Sequence, residues 1–400
     1  MREHTTPKRT SACGTTAASL PVLLLTLLLG TTVRADAPVS FGDPVAGLAP
    51  AELVRFIEGR EEFEEDETPE QGLGPVFNAT SCAACHSSPA IGGDSNILET
   101  RFGRMDGKKF DPMPYAGGSL IQTEGLDTHD CRGEEVPQDA TIRAKRKSTP
   151  LFGLGLVDHV PDATLQQLAR DQQRSAPAVA GKASIVRDAA TGQLRVGRFG
   201  WKAQVATLVT FSADAYLNEM GITSPIFPTE NAPGGDMAAL DRCDRVPGLE
   251  DDGSGVAAFA DFMTMLAPPP RGSITPGAQK GALLFERAGC AICHVPQLTT
   301  GPSAIAALDR VTFAPFSDFL LHDMAGLGDG IEQGAAGRTE MRTAPLWGLR
   351  VRSRFLHDGR ASTLEGAIRE HAGQGNAARA AFEALSKADA ADLIAFLRSL

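Results

Sequence analysis

The chain has 400 residues, 42% apolar, 22% charged and 6% aromatic, and its 42 Gly and 26 Pro are too few for a disordered or fibrous protein. A net charge of −11 and a pI near 5.3 exclude the basic face that a nucleic-acid binder needs. The length calls for at least two domains, and no apolar run reaches the ~18 residues of a membrane span.

The first 35 residues read as a secretory leader. Arg2, Lys8 and Arg9 form a basic start, residues 20–29 a short apolar stretch, and Val33-Arg34-Ala35 puts small residues at the −3 and −1 positions for cleavage before Asp36. Cleavage removes four basic residues, one acidic residue and Cys13, leaving a charge of −14. A periplasmic location is expected.

The first chemical signature is Cys82-Ala83-Ala84-Cys85-His86, which returns as Cys290-Ala291-Ile292-Cys293-His294. C-x-x-C-H is the attachment sequence of c-type haem: two thiols add to the porphyrin vinyl groups and the adjoining histidine ligates the iron. At this chain's Cys and His frequencies one such frame arises by chance about 0.002 times. Zinc also takes paired C-x-x-C, but the histidine after each pair and the separation of about 200 residues fit a zinc ribbon poorly. A thioredoxin-like redox pair would need a βαβ setting, which neither site has. Two covalent haems with His86 and His294 as proximal ligands are expected, in agreement with export. Cys131 and Cys243 remain, either as a disulfide or as two buried thiols.

Residues 94–148 are polar and Gly-rich and read as a long loop with little regular structure. Residues 183–199 alternate, with Ile185, Val186 and Leu194, Val196 flanking a turn at 188–192, and read as a β-hairpin.

The two halves repeat. Phe77 and Phe285 each precede a haem-motif cysteine by five residues, Pro150-Leu151-Phe152-Gly153-Leu154 recurs as Pro345-Leu346-Trp347-Gly348-Leu349, and Thr164-Leu165 recurs as Thr363-Leu364. Each half closes on a helical stripe, Val256, Phe259, Met263, Leu266 against Ala390, Leu393, Leu397, Leu400, with Phe262 matching Phe396. A Pro-rich linker at 266–273 separates them; Thr275 and Pro276 then open a helix, and Ser386 with Asp389 opens the last one. The expected fold is mainly α: two cytochrome-c-like helical domains, 36–268 and 276–400, one haem each, with loop and β-hairpin insertions in the first.

The chain resembles the di-haem c-type oxidoreductase family of peroxidase-like and thiol-oxidoreductase-like proteins. Residues 150–165, Gly197-Arg198-Phe199-Gly200-Trp201-Lys202-Ala203-Gln204, Ser317-Asp318-Phe319-Leu320-Leu321-His322-Asp323-Met324 and residues 342–364 carry the resemblance. More distantly it is similar to bacterial di-haem cytochrome c peroxidases. There one haem accepts electrons, the other reduces peroxide, and an Asn-Pro-x-Glu-Met-Gly segment supplies a distal glutamate. Asn218-Glu219-Met220-Gly221 keeps the Glu-Met-Gly part. The resemblance therefore implies Glu219 as the group that moves a proton between peroxide oxygens. Those peroxidases also hold Ca2+ between their domains, which no motif here decides.

The sixth ligand separates an electron carrier from a reactive haem. Phe355-Leu356-His357-Asp358-Gly359-Arg360 resembles a peroxidase segment followed fourteen residues later by an axial methionine; here that place holds His371, just before the closing helix. His371 is the expected sixth ligand of the second haem, with Met324 as the alternative. His357 is expected to bond a propionate or order a loop. The repeat register sets Gln172 at the corresponding place in the first domain. Glutamine ligates iron poorly, so an open first haem is expected, with His159 as the rival ligand. Gln204 is the expected donor to a departing oxygen, Trp201 either an inter-haem electron carrier or a packing residue, and Arg342 and Arg360 either propionate partners or part of a solvated basic face.

The leading reading is a periplasmic di-haem oxidoreductase, peroxidase-like, in which a small donor protein (cytochrome c or cupredoxin-like) feeds the C-terminal haem and peroxide or another small oxidant is reduced at the N-terminal one. A pure electron-transfer cytochrome and an oxidoreductase acting on thiols or protein side chains are the alternatives. The acidic net charge predicts a basic donor patch and a rate that falls with salt.

Overall fold

The computed structural model describes residues 39–126, 129 and 131–400, and residues 39–400 form one compact unit. The leader lies outside the described residues. Helix α1 (Pro50–Glu64) starts on Pro50, with the Glu52 carboxylate accepting from Ala49 N at 2.7 Å. The first haem motif forms the short α2 (Cys82–Cys85). Then come α3 (Leu154–Asp158), α4 (Asp162–Ser175), α5 (Leu208–Met220), α6 (Met237–Cys243) and α7 (Ser254–Met265). The second half holds α8 (Pro276–Arg287), α9 (Leu364–Arg369), α10 (Asn376–Glu383) and α11 (Lys387–Leu397). Thr275 Oγ1 accepts from Ala278 N at the start of α8, and Ser386 Oγ from Asp389 N at the start of α11, both at 3.1 Å.

In each half the helix before the haem motif packs on the closing helix: α1 on α7 and α8 on α11. Glycines permit both crossings. A Cβ on Gly59 would lie 2.3 Å from the Ala258 carbonyl oxygen, and one on Gly281 2.0 Å from that of Asp392. The repeat persists in the connections. Gly153 and Gly348 both have left-handed φ, +73° and +74°, and donate their N–H to the carbonyls of Leu266 and Leu400. Phe262 contacts Phe63 at 4.9 Å between ring centres and Phe396 contacts Phe285 at 5.3 Å, so the equivalence of Phe262 and Phe396 holds. The partner of Phe285, however, is Phe63 rather than Phe77. Residues 65–80 intervene between α1 and the first motif, and a register counted back from the cysteines slips over them.

The mainly-α expectation is met only in part, since helix occupies 36% and strand 15% of the described residues. Strands β1 (Val76–Phe77) and β5 (Glu124–Gly125) pair, and β7 (Ser184–Arg187) with β8 (Leu194–Gly197) forms the expected hairpin. The supposed loop at 94–148 contains a four-stranded antiparallel sheet: β2 (Leu98–Asp106) lies between β3 (Lys109–Asp111) and β4 (Leu120–Ile121), and β6 (Ile142–Lys147) also pairs with β2. Its charged residues conceal the alternation because several are buried as ion pairs. Arg146 and Lys147 are 2% and 6% exposed, paired with Asp329 and Asp94. Pairs β9 (Leu298–Thr299) with β10 (Thr312–Phe313), and β11 (Leu321–Asp323) with β12 (Glu340–Arg342), complete the fold. Cys131 and Cys243 form a disulfide with Cα atoms 5.5 Å apart, settling the leftover pair. Among the described residues no helix is long and apolar enough to cross a membrane.

Candidate haem sites

At the first motif, His86 Nδ1 lies 3.0 Å from the Gly93 carbonyl oxygen and Phe63 stands 6.3 Å from its ring. At the second, His294 Nδ1 lies 3.0 Å from the Phe316 carbonyl oxygen and Phe285 stands 6.3 Å away. A carbonyl at Nδ1 keeps the proton there and leaves Nε2 to bind metal. Burial lowers both imidazoles, His294 to about 4 with His371 adding to the effect, so both are neutral as ligands must be. Cys82, Cys85, Cys290 and Cys293 are unbridged. Burial pushes Cys82 up to about 12, and Cys85 and Cys290 to about 11, which keeps these thiols protonated at neutral pH.

The second motif opens onto a cavity of about 350 Å³ whose walls include Cys290, Cys293, His294 and His371. The His294 and His371 rings are 6.4 Å apart, centre to centre, at 58°. His371 Nδ1 is committed to the Ala367 carbonyl at 2.9 Å. This spacing accommodates one metal ion between the two Nε2 atoms at imidazole–metal distances of about 2 Å. Met324 lies on the same wall, both it and His371 bordering Gly375.

Arg342 is 6% exposed and Arg352 half-buried; both face this cavity, and neither has a carboxylate within ion-pair distance among the described residues. Arg342 donates Nε to Gly200 O at 2.7 Å and Nη1 to Thr343 O at 3.0 Å; burial, with repulsion from Arg352, lowers it to about 10. One buried and one half-buried cation without counterions beside a C-x-x-C-H motif fit the propionates of a haem. Arg360 does not line this cavity. Its side chain is 39% exposed and engages Asp358 at 2.6 Å. The signal for Arg352 lay in the same basic stretch, but which of its arginines turn inward depends on tertiary packing.

His322 also faces the second cavity. Its Nδ1 lies 3.6 Å from Cys293 Sγ and its Nε2 3.0 Å from Asp318 Oδ2. Burial opposes its charge, but the hydrogen bonds and charges of Asp318 and Cys293 together outweigh this and raise it to about 10. Gln172 donates to Asp318 Oδ2 at 2.7 Å and to Ile292 O at 2.8 Å. Gln172 thus braces the second motif and is not at the first haem site, contrary to the repeat register; α4 crosses to the other half. Cys293, Asp318 and His322 are the grouping of metal-donor atoms found among the described residues, and they do not make the all-oxygen set that calcium prefers.

Glu219, near the end of α5, is tied to the chain that enters the first motif. Its carbonyl accepts from Asn78 N and Ala79 N, and its Oε2 from Asn78 Nδ2 at 2.8 Å. Burial and the charge of Glu99, partly offset by Arg101, raise Glu219 to about 7. Burial works against Glu99 too, but Arg101 (Nε to Oε1, 3.0 Å) and Arg146 hold its carboxyl below the ordinary range. Both carboxylates act on the Cys85 thiol, so the pair borders the first motif. No sequence signal marks Glu99 and Arg101, which lie on β2 in a segment whose polar, Gly-rich composition resembles a loop. Opposite His86 no second imidazole stands as His371 does opposite His294, among the described residues; His159 turns Nδ1 to Gly155 O at 2.7 Å.

Trp201 lies in the wall of the second cavity, donating Nε1 to Lys147 O at 2.8 Å, 6.2 Å from the buried His357 ring. His357 O accepts from Lys147 N at 2.6 Å, so its backbone orders this loop, and the residue also lines the cavity. The neighbouring Ser148 Oγ donates to Cys85 O at 2.9 Å. A two-residue step therefore joins the first motif to the second cavity, with Trp201 against it. Gln204 is elsewhere: its Oε1 closes a turn onto Lys202 N at 3.2 Å and its side chain packs on Gly200 and Gly334.

The two C-x-x-C-H motifs and the imidazole pair His294–His371 fit a two-haem oxidoreductase. The chain belongs to the family described as "Di-haem oxidoreductase, putative peroxidase", whose family model matches residues 124–400. No curated protein matches it. Among solved structures it is similar to a hydrazine synthase of Kuenenia stuttgartiensis (15% identity, TM-score 0.38, covering 99% of this chain and 100% of that one). It is also similar to a MauG-like protein associated with microbial copper homeostasis (16%, 0.40, 91% and 94%) and to the diheme peroxidase BthA of Burkholderia thailandensis (16%, 0.40, 87% and 86%). Likeness this weak adds nothing on function.

Proposed function

We propose that this chain is a periplasmic di-haem c-type oxidoreductase with one covalent haem in each half, 36–268 and 276–400. Electrons from a small donor protein enter at the His294 centre, and peroxide or a related small oxidant is reduced at the His86 centre. The observation that carries the reading is the inequality of the two motifs: His371 opposes His294, whereas the first motif is bordered at Cys85 by Glu219, whose carboxyl is raised to about 7.

When bound, the haem supplies an iron that changes oxidation state and, where its far side is open, takes up a peroxide. Cys82, Cys85, Cys290 and Cys293 hold the porphyrins, and the Gly93 and Phe316 carbonyls aim Nε2 of His86 and His294. His371 closes the second centre to small molecules. Glu219, oriented by Asn78, accepts a proton from one peroxide oxygen and returns it to the other as the O–O bond opens, so that two electrons and two further protons leave two waters. Arg342 and Arg352 neutralise propionates, and Trp201 bridges the short gap between centres.

The as-isolated ferric protein should give one high-spin and one low-spin EPR signal, with cyanide converting the high-spin signal alone. Two low-spin signals indifferent to cyanide would make the protein an electron carrier.

A further inference from the structure

The whole-chain charge points to a basic electron donor, but the charge is not evenly spread. Residues 36–275 hold 21 Lys and Arg against 35 Asp and Glu, whereas residues 276–400 hold 13 of each. The excess negative charge is therefore confined to the first half. The wall of the second cavity goes further: six Lys or Arg side chains face it, against one carboxylate, Asp94. Lys147 is paired with Asp94, Arg342 is buried and Arg352 half-buried.

Three cations remain at the mouth. Arg287, at the end of α8, and Arg354 are exposed and make no hydrogen bond or ion pair among the described residues; Arg379, on α10, has only a long bond to the Arg369 carbonyl at 3.4 Å. Asp389, whose charge Arg287 feels, is already engaged by Lys280 at 2.6 Å. One turn before Arg287, Leu283 is 62% exposed. An apolar side chain beside unpaired arginines at a cavity mouth has the anatomy of a small transient interface.

Resting on the reading of the His294 centre as the point of electron entry, we infer that this mouth docks a small redox protein that presents an acidic face around its own centre. The −14 half repels such a partner while the arginine rim attracts it, so the field orients the partner toward the cavity mouth.

The test compares two forms of one donor on the holoprotein: reduced cytochrome c with native lysines, and the same protein after lysine succinylation, which reverses its surface charge. Stopped-flow absorbance follows reduction of the low-spin haem. The succinylated form should be faster by about tenfold at low salt and lose that advantage as ionic strength rises. Arg287→Glu combined with Arg354→Glu should abolish the advantage while leaving reduction by the uncharged reductant hydroquinone unchanged. A faster native form, or rates indifferent to salt and to both substitutions, overturns the docking surface. Hydroquinone with peroxide tests the parent reading separately: peroxide turnover without a protein donor survives loss of the docking surface, whereas its absence removes the peroxidase reading itself.

Discussion

The imidazoles of His294 and His371 face each other at 6.4 Å, each with Nδ1 held by a backbone carbonyl. His371→Ala is therefore expected to turn the second centre from low-spin to high-spin and open it to cyanide. His371→Met should retain six-coordination and raise the midpoint potential, because thioether ligation favours the reduced iron. EPR and potentiometry check both; an unchanged spin state in His371→Ala would give the position to Met324.

Glu219→Gln is expected to lower kcat/KM for peroxide by about 10²–10⁴-fold, the usual worth of a positioned proton carrier. Glu219 must be ionised to accept the first proton, so the wild-type rate should rise with pH through about 7 and the variant should lack that limb. The same raised pKa has a stability consequence. A carboxyl raised on folding favours the native state at low pH and loses that contribution as pH rises through its folded value. Glu219→Gln should accordingly raise Tm at pH 8 relative to wild type, but not at pH 4.

Arg342→Gln removes a buried cation and its hydrogen bonds to Gly200 and Thr343, at a cost of about 1.5–3 kcal/mol. It should also lower the midpoint potential of the second haem, since the lost positive charge favoured the reduced state. Arg360→Gln, at an exposed pair, should stay within about 0.5 kcal/mol and leave the potential unmoved. Equal shifts in the two variants would refute the assignment of Arg342.

Cys131 and Cys243 are 112 residues apart in sequence. Replacing both by serine should lower stability by about 2–5 kcal/mol, the range for loops of this size, with haem content unchanged. Thermal unfolding followed in the far ultraviolet, beside a pyridine-haemochrome assay, would show the two effects separately.

The haem motifs were legible because attachment needs a fixed local frame, and the closing helices because one apolar stripe suffices to bury them. The capping at Thr275 and Ser386 is equally local. What failed was non-local. Counting back from the cysteines pairs Phe77 with Phe285, whereas Phe63 occupies that place because an insertion breaks the count. Gln172 followed the repeat register, yet its helix serves the opposite half. The sheet at 98–147 was hidden because the cue for a half-buried strand is alternating polarity, and Arg146 and Lys147 are buried with partners from distant segments. Gln204 and Arg360 are plausible by residue type and misplaced by geometry. Distinguishing Arg352 from Arg360 required knowing where the chain turns.

Lys147 is held on one side by Asp94, the residue after the carbonyl that positions His86, and on the other by His357 and Trp201. Porphyrin seated at either motif is expected to firm the Asp94–Lys147 link that lies between them. Maturation should accordingly be cooperative: in haem-starved cells, fully empty and doubly loaded chains should outnumber half-loaded ones.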